Sequence, residues 1–402
     1  MNPHHHHHKV HLAPRTFGFI STVAHPVGLE REVARQIRVA CTIRRRDVGG
    51  TMLVLGSSMG YGLASRITAT FGYGMKTLGV AFDRPHRGGR TATAGWYNTA
   101  HFHRLARMED LYADTLIGDA FSRECLEETL ERVARDLGPL DYLIYSLAAP
   151  RRTDPVTGEV YQSVLKAVGK PHPVKMINTD SFEITEGVFE AASEDEVRQT
   201  VGVMGGADLR RWSAALMERG LLKPGARILA FSYIGPDVTH PIYRDGSIGM
   251  AKQDLESACR DINSQLESQL GGLCRTVVAK SIVTQSSAAI PAIALYISLV
   301  YRIMKEKGLH ETAIEQMRRL FREHIAPGKT PKLDAEGRVR LDEFELREDV
   351  QAEVRERWDA ITTERVPELC DIAGYKEDFM RLFGFQVKGV DYTLPVRIDM
   401  DL

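Results

Sequence analysis

The sequence has few of the residues that build disulfide or metal frameworks. Its cysteines are scattered and odd in number: Cys41, Cys125, Cys259, Cys274 and Cys370. They include no C-x-x-C pair, which argues against a disulfide framework or a zinc site. No spacing of metal ligands is evident elsewhere, so we expect no metal. This cysteine usage is typical of the reducing cytoplasm, where we expect the protein to act.

The chain also lacks a charge excess of either sign and a long hydrophobic run. Its 52 Lys and Arg against 53 Asp and Glu give a net charge of −1. This balance leaves no electrostatic footprint for nucleic acid or an anionic membrane. The most apolar run, residues 288–304, contains Pro291 and Tyr296. It falls short of the roughly 20 residues that span a bilayer, so we predict a buried or substrate-lining helix and no integral membrane segment.

The composition that remains is that of a globular protein. The 402 residues are 43% hydrophobic and 26% charged, enough for a large core with insertions. Apolar segments interpreted as strands lie at 51–56, 76–83, 114–121, 140–150, 226–235 and 274–285. They alternate with helical patterns and lack polar alternation, which indicates a parallel sheet covered on both faces. The fold class predicted is α/β, a doubly wound Rossmann-type sheet.

Two regions interrupt the alternation. Residues 151–222 are polar and strand-like and predict a β-hairpin excursion, followed by helices near 194–203 and 207–219. Residues 286–402 predict helices over 286–325 and 341–362 and an extended tail. We interpret residues 1–8 as a tag remnant. We predict that 9–402 form a single Rossmann-like domain with insertions at about 151–222 and 286–402 as covering elements.

A glycine-rich turn follows the first core strand. In "GSSMGYG", Gly56, Gly60 and Gly62 permit a tight turn and a close approach of the backbone to a pyrophosphate at the N-terminus of a helix. Asp83 ends the next strand, where an acid can bind a ribose. A plain strand–helix turn is the alternative, but this context favours a dinucleotide site. Asp119-Ala120 and Leu147-Ala148 end two further strands at the same edge; Asp119 could instead be a helix-entry carboxylate.

A tyrosine–lysine pair follows the fifth strand, in "SYIGPDVTHPIYRDGSIGMAKQDLE". A nearby ammonium favours the phenolate, so a lysine eases release of a tyrosine proton, and it can also hold cofactor ribose hydroxyls. Tyr243 and Lys252 are nine residues apart and would lie on opposite faces of a regular helix. We therefore place Tyr243 on a loop that folds back and Tyr233 at the end of the strand. We place Lys252 in an early turn of a helix whose apolar stripe begins at Ala251. A solvated helix lysine is the alternative for Lys252.

These motifs resemble the FabV-type trans-2-enoyl-acyl-carrier-protein reductases, a family that also includes trans-2-enoyl-CoA reductases. The Tyr-x8-Lys spacing is the family's mark, whereas short-chain dehydrogenases use shorter spacings. The resemblance extends to "HPVG", "GSSMGYG", "FD", "SLAAP" and "TQSSAAIP" and spans most of residues 17–402.

The resemblance implies NADH-dependent reduction of the C=C bond of trans-2-enoyl thioesters of acyl carrier protein or coenzyme A in fatty-acid elongation. Hydride goes to the β-carbon, and tyrosine stabilises and protonates the enolate. It implies Tyr243 as the proton donor, Lys252 as a catalytic cofactor ligand, Tyr233 as the substrate ligand, and a monomer. The cofactor contacts it implies for NADH/NAD are Gly56, Ser57, Ser58, Met59, Gly60, Tyr61, Phe82, Asp83, Asp119, Ala120, Leu147, Ala148, Lys252, Ser281, Ile282 and Val283.

Two other functions fit part of this pattern. A carbonyl reductase of the short-chain dehydrogenase type would use the same tyrosine and lysine on a ketone or aldehyde. A non-catalytic NAD-sensing regulator would need the dinucleotide fold but not Tyr243 and Lys252 together.

Overall fold

The computed structural model describes residues 9–17 and 20–402. The predicted tag remnant at 1–8 lies outside this range. The strands are β1 (Lys9–Val10), β2 (Thr16–Phe17), β3 (Ile20–Ser21), β4 (Thr51–Leu55), β5 (Lys76–Ala81), β6 (Ala113–Ile117), β7 (Leu140–Tyr145), β8 (Arg151–Thr153), β9 (Val160–Gln162), β10 (His172–Ile177), β11 (Ile184–Phe189), β12 (Leu222–Ser232), β13 (Leu273–Val278), β14 (Val339–Arg340) and β15 (Val396–Arg397).

The α-helices are α1 (Pro26–Cys41), α2 (Gly60–Ile67), α3 (Ala94–Met108), α4 (Arg123–Arg132), α5 (Glu194–Met204), α6 (Ala207–Glu218), α7 (Ser247–Leu270), α8 (Gln285–Ala288), α9 (Pro291–Glu306), α10 (Ala313–Leu320), α11 (Glu348–Ala360), α12 (Val366–Leu369) and α13 (Ile372–Arg381).

The main sheet has seven strands in the order β14-β13-β12-β7-β4-β5-β6. Every neighbouring pair is parallel. The chain runs outward from β4 in one direction and then from β7 in the other, so the strand order reverses between these two strands. A crevice for a ligand opens at such a reversal, beyond the carboxyl ends of the strands.

Helices cover both faces of the sheet. In β4, Leu53 and Leu55 enter one hydrophobic core, which α4, α6 and α7 complete. Met52 and Val54 enter the opposite core, which includes residues of α2 and α10. The sequence of β4 is apolar without interruption because the strand is buried on both faces. The predicted doubly wound α/β class is confirmed.

The structure departs from the predicted elements in five places. A seventh strand, β14, extends the sheet at its edge, and β12 begins at Leu222, before the predicted 226. Helix α3, between β5 and β6, was not predicted. Many of its buried side chains are polar, so its sequence does not show the apolar periodicity of a helix. Helix α7 begins at Ser247 rather than near Ala251. The helix predicted over 341–362 begins only at Glu348, because residues 343–346 form a turn after β14.

The insertions contain the predicted hairpin and helices. Residues 151–222 form two antiparallel hairpins, β8-β9 and β10-β11, and then α5 and α6. Helix α9, from the most apolar run, packs against β10 and α11 and carries a third hydrophobic core. Across residues 9–17 and 20–402, we find no helix whose length and apolar character would let it cross a membrane.

Candidate active site

The glycine turn after β4 is formed by close backbone contacts. Gly56 has φ +79°, and a Cβ there would lie 2.2 Å from the carbonyl oxygen of Ser146. A Cβ on Gly62 would lie 1.9 Å from the carbonyl oxygen of Gly56. Larger residues would force the turn and the first turn of α2 apart. This packing leaves the N-terminus of α2 facing the crevice, which is the geometry that binds phosphate.

Asp83 lies just beyond the end of β5 with one oxygen in use and one free. Its Oδ1 accepts a hydrogen bond from Thr93 Oγ1 at 2.7 Å. Its Oδ2 is buried and has no partner within the described residues. A Cβ on Gly95 would lie 2.5 Å from both oxygens, so glycine is required beside the carboxylate. An unpaired buried oxygen costs free energy, and the hydroxyls of a ribose would satisfy it.

The end of β13 faces the glycine turn. A crevice of about 100 Å³ is lined by Met59 and Gly60 on one side and by Ile282, Val283 and Thr284 on the other. The hydroxyl of Tyr61 donates a hydrogen bond to the carbonyl oxygen of Lys280 at 2.5 Å. The structure therefore brings parts of two predicted segments, Met59 and Gly60 of 56–61 and Ile282 and Val283 of 281–283, to one crevice. The glycine turn and the free oxygen of Asp83 fit the pyrophosphate and ribose of NADH.

The other predicted cofactor residues differ in their surroundings. Phe82 is 83% exposed beside Asp83, where a planar adenine could pack on it. Asp119 is exposed, and its Oδ1 accepts from the backbone N–H of Phe121 at 2.9 Å, which fits the alternative of a helix-entry carboxylate. Ala120 is buried, and Trp212 and Arg211 donate to its carbonyl oxygen.

The remaining predicted contacts lie around the same turn. Ser57 is fully buried, and its hydroxyl has no partner among the described residues. The carbonyl oxygen of Ser58 accepts from Asn98 Nδ2 at 3.1 Å. Leu147 is partly buried, and Ala148 is exposed at the end of β7. None of these contacts is tested by the structure alone, and they stay predictions.

Tyr243 lies on a turn that folds back on the first turn of α7, as its spacing from Lys252 predicts. Its N–H donates to the carbonyl oxygen of Thr239 at 3.0 Å. A Cβ on Gly249 would lie 1.8 Å from the carbonyl oxygen of Arg244 and 2.6 Å from that of Tyr243, so the turn rests directly on the helix. Tyr243 also packs against the hydrophobic core of α9.

The polar ends of Tyr243 and Lys252 are both free for a ligand. Neither the Tyr243 hydroxyl nor the Lys252 ammonium forms a side-chain hydrogen bond or ion pair in the part of the chain that the structure describes. Burial lowers the pKa of Lys252 to about 8, which nearby Glu256 partly offsets. Burial raises the pKa of Tyr243 to about 12. The expected lowering of the tyrosine pKa by a lysine is therefore wrong for this structure. Tyr243 remains a protonated donor at neutral pH.

Tyr233 contacts Tyr243 and a carboxylate that the sequence did not identify as a site residue. The two tyrosine rings pack edge to face with centroids 5.0 Å apart. The Tyr233 hydroxyl donates to Oε1 of Glu345 at 3.3 Å. A polar cavity of about 520 Å³, lined in part by Tyr233, Lys252 and Gln351, opens beside them.

Sequence reasoning missed Glu345 because "LDEFELRED" reads as a solvated charged stretch. The available signal was Tyr296, a phenol within the most apolar run, since a buried phenol needs a polar partner. Thr93 and Gly95, beside Asp83, carry no distinctive sequence signal. Among residues 9–17 and 20–402 no group of three or more His, Cys, Asp or Glu is arranged to hold a metal ion.

Comparison with known families matches almost the whole chain. Residues 90–326 match the "Trans-2-enoyl-CoA reductase catalytic region" and residues 11–88 the "NAD(P)H binding domain of trans-2-enoyl-CoA reductase". Residues 333–396 match the "Enoyl reductase FAD binding domain".

Individual proteins are similar to this chain over almost their full lengths. The trans-2-enoyl-CoA reductase [NADH] of Ruminiclostridium cellulolyticum is 44% identical, over 97% of this chain and 98% of that protein. The enoyl-[acyl-carrier-protein] reductase [NADH] of Coxiella burnetii (strain Dugway 5J108-111) is 48% identical, over 96% of each. The crystal structure of the Treponema denticola trans-2-enoyl-CoA reductase in complex with NAD has a TM-score of 0.92 and 41% identity, over 97% of this chain and 99% of that one.

The C-terminal match lacks a glycine turn directly after its strand of the main sheet. Its strand in the main sheet, β14, is followed by "LDEFE", without a glycine turn into a helix. A Cβ on Gly374, at the start of α13, would meet the carboxylate of Asp371 and the ammonium of Lys305, so this glycine faces no open crevice. The segment contributes Glu345 beside Tyr233, and part of the lining of the neighbouring cavity, including Arg338 and Gln351.

Proposed function

The chain belongs to the family of trans-2-enoyl-CoA and enoyl-acyl-carrier-protein reductases, and from this membership we propose how its own residues act. The protein is an NADH-dependent reductase of the C=C bond of trans-2-enoyl thioesters. The observation that carries the proposed mechanism is the meeting of two tyrosines at the carboxyl edge of the sheet. One hydroxyl is free, and the other is held by a buried carboxylate.

We assign the cofactor to the crevice at the strand reversal. The glycine turn and the N-terminus of α2 hold the pyrophosphate, Asp83 Oδ2 accepts from the adenosine ribose, and Lys252 donates to the nicotinamide ribose. When bound, NADH would supply a hydride to the β-carbon of the substrate. The C=C pair would then shift to the bond between the α-carbon and the carbonyl carbon, and the carbonyl pair to the thioester oxygen, which gives an enolate that needs one proton at its α-carbon.

Tyr243 serves as the donor to that enolate. Its hydroxyl is protonated at neutral pH, since burial raises its pKa further above its ordinary value, to about 12. No protein group in the described chain forms a hydrogen bond with this hydroxyl. A preorganised donor in a partly buried site stabilises developing negative charge more strongly than water does. Tyr233 contacts the thioester carbonyl beside it, and together the two hydroxyls fix the oxygen.

The apolar face around Tyr243 covers the acyl chain. The core of α9 joins residues of the β10-β11 hairpin, including Val174, Met176 and Phe189, on the same side as Tyr243. The cavity next to Tyr233 is lined instead by charged side chains such as Arg338 and Glu256, which suits the polar end of a thioester carrier. We further propose that the enzyme acts as a cytoplasmic monomer; acyl carrier protein and coenzyme A both remain candidate carriers.

The experiment that tests this function is loss of NADH absorbance with crotonyl-CoA, followed by identification of the product. We expect butyryl-CoA. Formation of an alcohol from a ketone or aldehyde, with crotonyl-CoA untouched, would instead support a carbonyl reductase. NADH binding without turnover of either substrate would support a regulator.

A further inference from the structure

A buried carboxylate outside the tyrosine–lysine pair lies at the centre of the site. Glu345 has 0% of its surface exposed. It lies on the turn that follows β14, the edge strand, at the same end of the sheet as Tyr233. Because the strands are parallel, this turn delivers its side chain to the carboxyl edge where the tyrosines meet.

Both oxygens of Glu345 accept hydrogen bonds, one at Oε2 and three at Oε1. Oε2 accepts from the backbone N–H of Ser281 at 2.7 Å. Oε1 accepts from the hydroxyls of Tyr296 at 2.6 Å, Ser281 at 2.9 Å and Tyr233 at 3.3 Å. The carboxylate thus ties together the end of β13, helix α9 and Tyr233. A purely structural carboxylate would not need the most distant of these donors.

The bond to Tyr233 is the longest of the four, and a phenol has only one hydrogen to give. When Tyr233 donates to Glu345, that hydrogen is not available to a substrate. Turning it towards the thioester oxygen gives up only this long bond, since three shorter ones continue to satisfy the carboxylate. Glu345 can therefore hold the hydroxyl in place and release it at little cost.

We propose that Glu345 is a positioning residue that holds Tyr233 for the thioester oxygen and fixes Ser281 of the cofactor crevice beside it. The proposal rests on the proposed function, in which Tyr233 contacts the thioester. Burial raises the pKa of Glu345, and the positive charge of Lys280, buried next to Ser281, partly offsets this rise. The role of the C-terminal segment is then to supply one end of the substrate site.

A double-mutant cycle on kcat/KM for crotonyl-CoA tests this role, because it separates an effect exerted through Tyr233 from a general structural defect. Glu345→Gln keeps the shape but leaves one acceptor oxygen, so its NH2 group faces either the three hydroxyls at Oε1 or the backbone N–H of Ser281 at Oε2. We expect it to lower kcat/KM by about tenfold, the value of one hydrogen bond to a charged group. In the Tyr233→Phe background, the same change should cost clearly less than in the unmodified enzyme, and the loss that remains is what Glu345 contributes through Ser281.

The matched control is Glu343→Gln, two residues earlier on the same turn. Glu343 is half exposed, and its partner Arg319 keeps a second carboxylate, Glu311. We expect kcat/KM within about twofold of the unmodified enzyme. If Glu345→Gln does not fold, by circular dichroism, the cycle is run with Glu345→Asp, which keeps the charge and withdraws the oxygens from Tyr233.

Equal losses in both backgrounds would overturn the inference and make Glu345 a structural residue. So would normal turnover by Glu345→Gln, or a Tyr233→Phe variant as active as the unmodified enzyme. The activity of the unmodified enzyme on crotonyl-CoA is measured in the same series, so failure of the proposed function is seen separately.

Discussion

Tyr243 and Tyr233 are neighbours whose hydroxyls have different partners. The Tyr243 hydroxyl is free of protein partners in the described chain, whereas that of Tyr233 donates to Glu345. Removing the oxygen of Tyr243 should abolish proton donation and leave the cofactor site intact. We expect Tyr243→Phe to lower kcat by about 10²–10⁴ while NADH affinity, measured by calorimetry, is unchanged. Near-normal turnover in this variant, with a large loss in Tyr233→Phe, would reverse the two roles.

The lowered pKa of Lys252 leads us to predict that cofactor binding depends on pH. Burial lowers its pKa to about 8 in the free protein, so the ammonium that we assign to the ribose is present below this pH and lost above it. We expect NADH affinity to fall as the pH rises through about 8, and binding to be accompanied by proton uptake there. Fluorescence titration with NADH at several pH values measures this.

Lys252→Arg is the matched variant, because arginine stays protonated throughout this range. Its affinity is expected to be weaker and independent of pH. The pKa of Lys280 is also lowered to about 8 by burial. If the pH dependence survives in Lys252→Arg, it belongs to Lys280 or another group, and the role given to Lys252 is wrong.

The free oxygen of Asp83 leads us to predict a preference for NADH over NADPH. A 2′-phosphate beside its free oxygen would meet a like charge, which exposed Arg84 offsets only in part. We expect NADH to be preferred over NADPH by at least about tenfold in kcat/KM, or ~1.4 kcal/mol. Asp83→Ser should narrow the gap mainly by admitting NADPH. Equal kcat/KM for both cofactors in the unmodified protein would contradict this role.

At the scale of elements, the apolar pattern predicted the strands that are buried on both faces and missed elements stabilised in other ways. Strand β14 has two residues within a charged stretch and forms only because β13 offers it an edge. Helix α3 buries Asn98, His101 and His103, so its buried face does not read as apolar. The site could be predicted wherever a motif has fixed spacing. Glu345 could not, since its burial depends on contacts with α9 and β13 far away in sequence.

The glycine turn and α2 act as one element, and their contact can be tested. A Cβ on Gly62 would lie 1.9 Å from a backbone oxygen, so Gly62→Ala must displace the turn that binds pyrophosphate. We expect NADH affinity to fall by at least about tenfold, together with a loss of stability of a few kcal/mol. Gly187→Ala is the control, because its Cβ would meet only the movable end of Met176. Equal NADH affinity in both variants, by calorimetry, would show that the close contact does not shape the site.

At the scale of the whole molecule, the three family segments do not coincide with separable structural units. Strands β4 and β5 fall in residues 11–88, β6, β7, β12 and β13 in 90–326, and β14 in 333–396, yet all belong to one sheet. The two ends of the described chain also meet, since β1 pairs with β15.

Because one sheet crosses all three segments, we predict that the chain unfolds as one cooperative domain. Unfolding any segment alone would expose backbone hydrogen bonds and both hydrophobic faces of the strands next to it, at a cost that favours loss of the whole sheet. NADH binds the folded sheet edge, so it should shift the entire transition upward. Scanning calorimetry with and without NADH measures this. Two resolved transitions, of which NADH moves only one, would show that the C-terminal segment folds separately and supplies Glu345 as a docked unit.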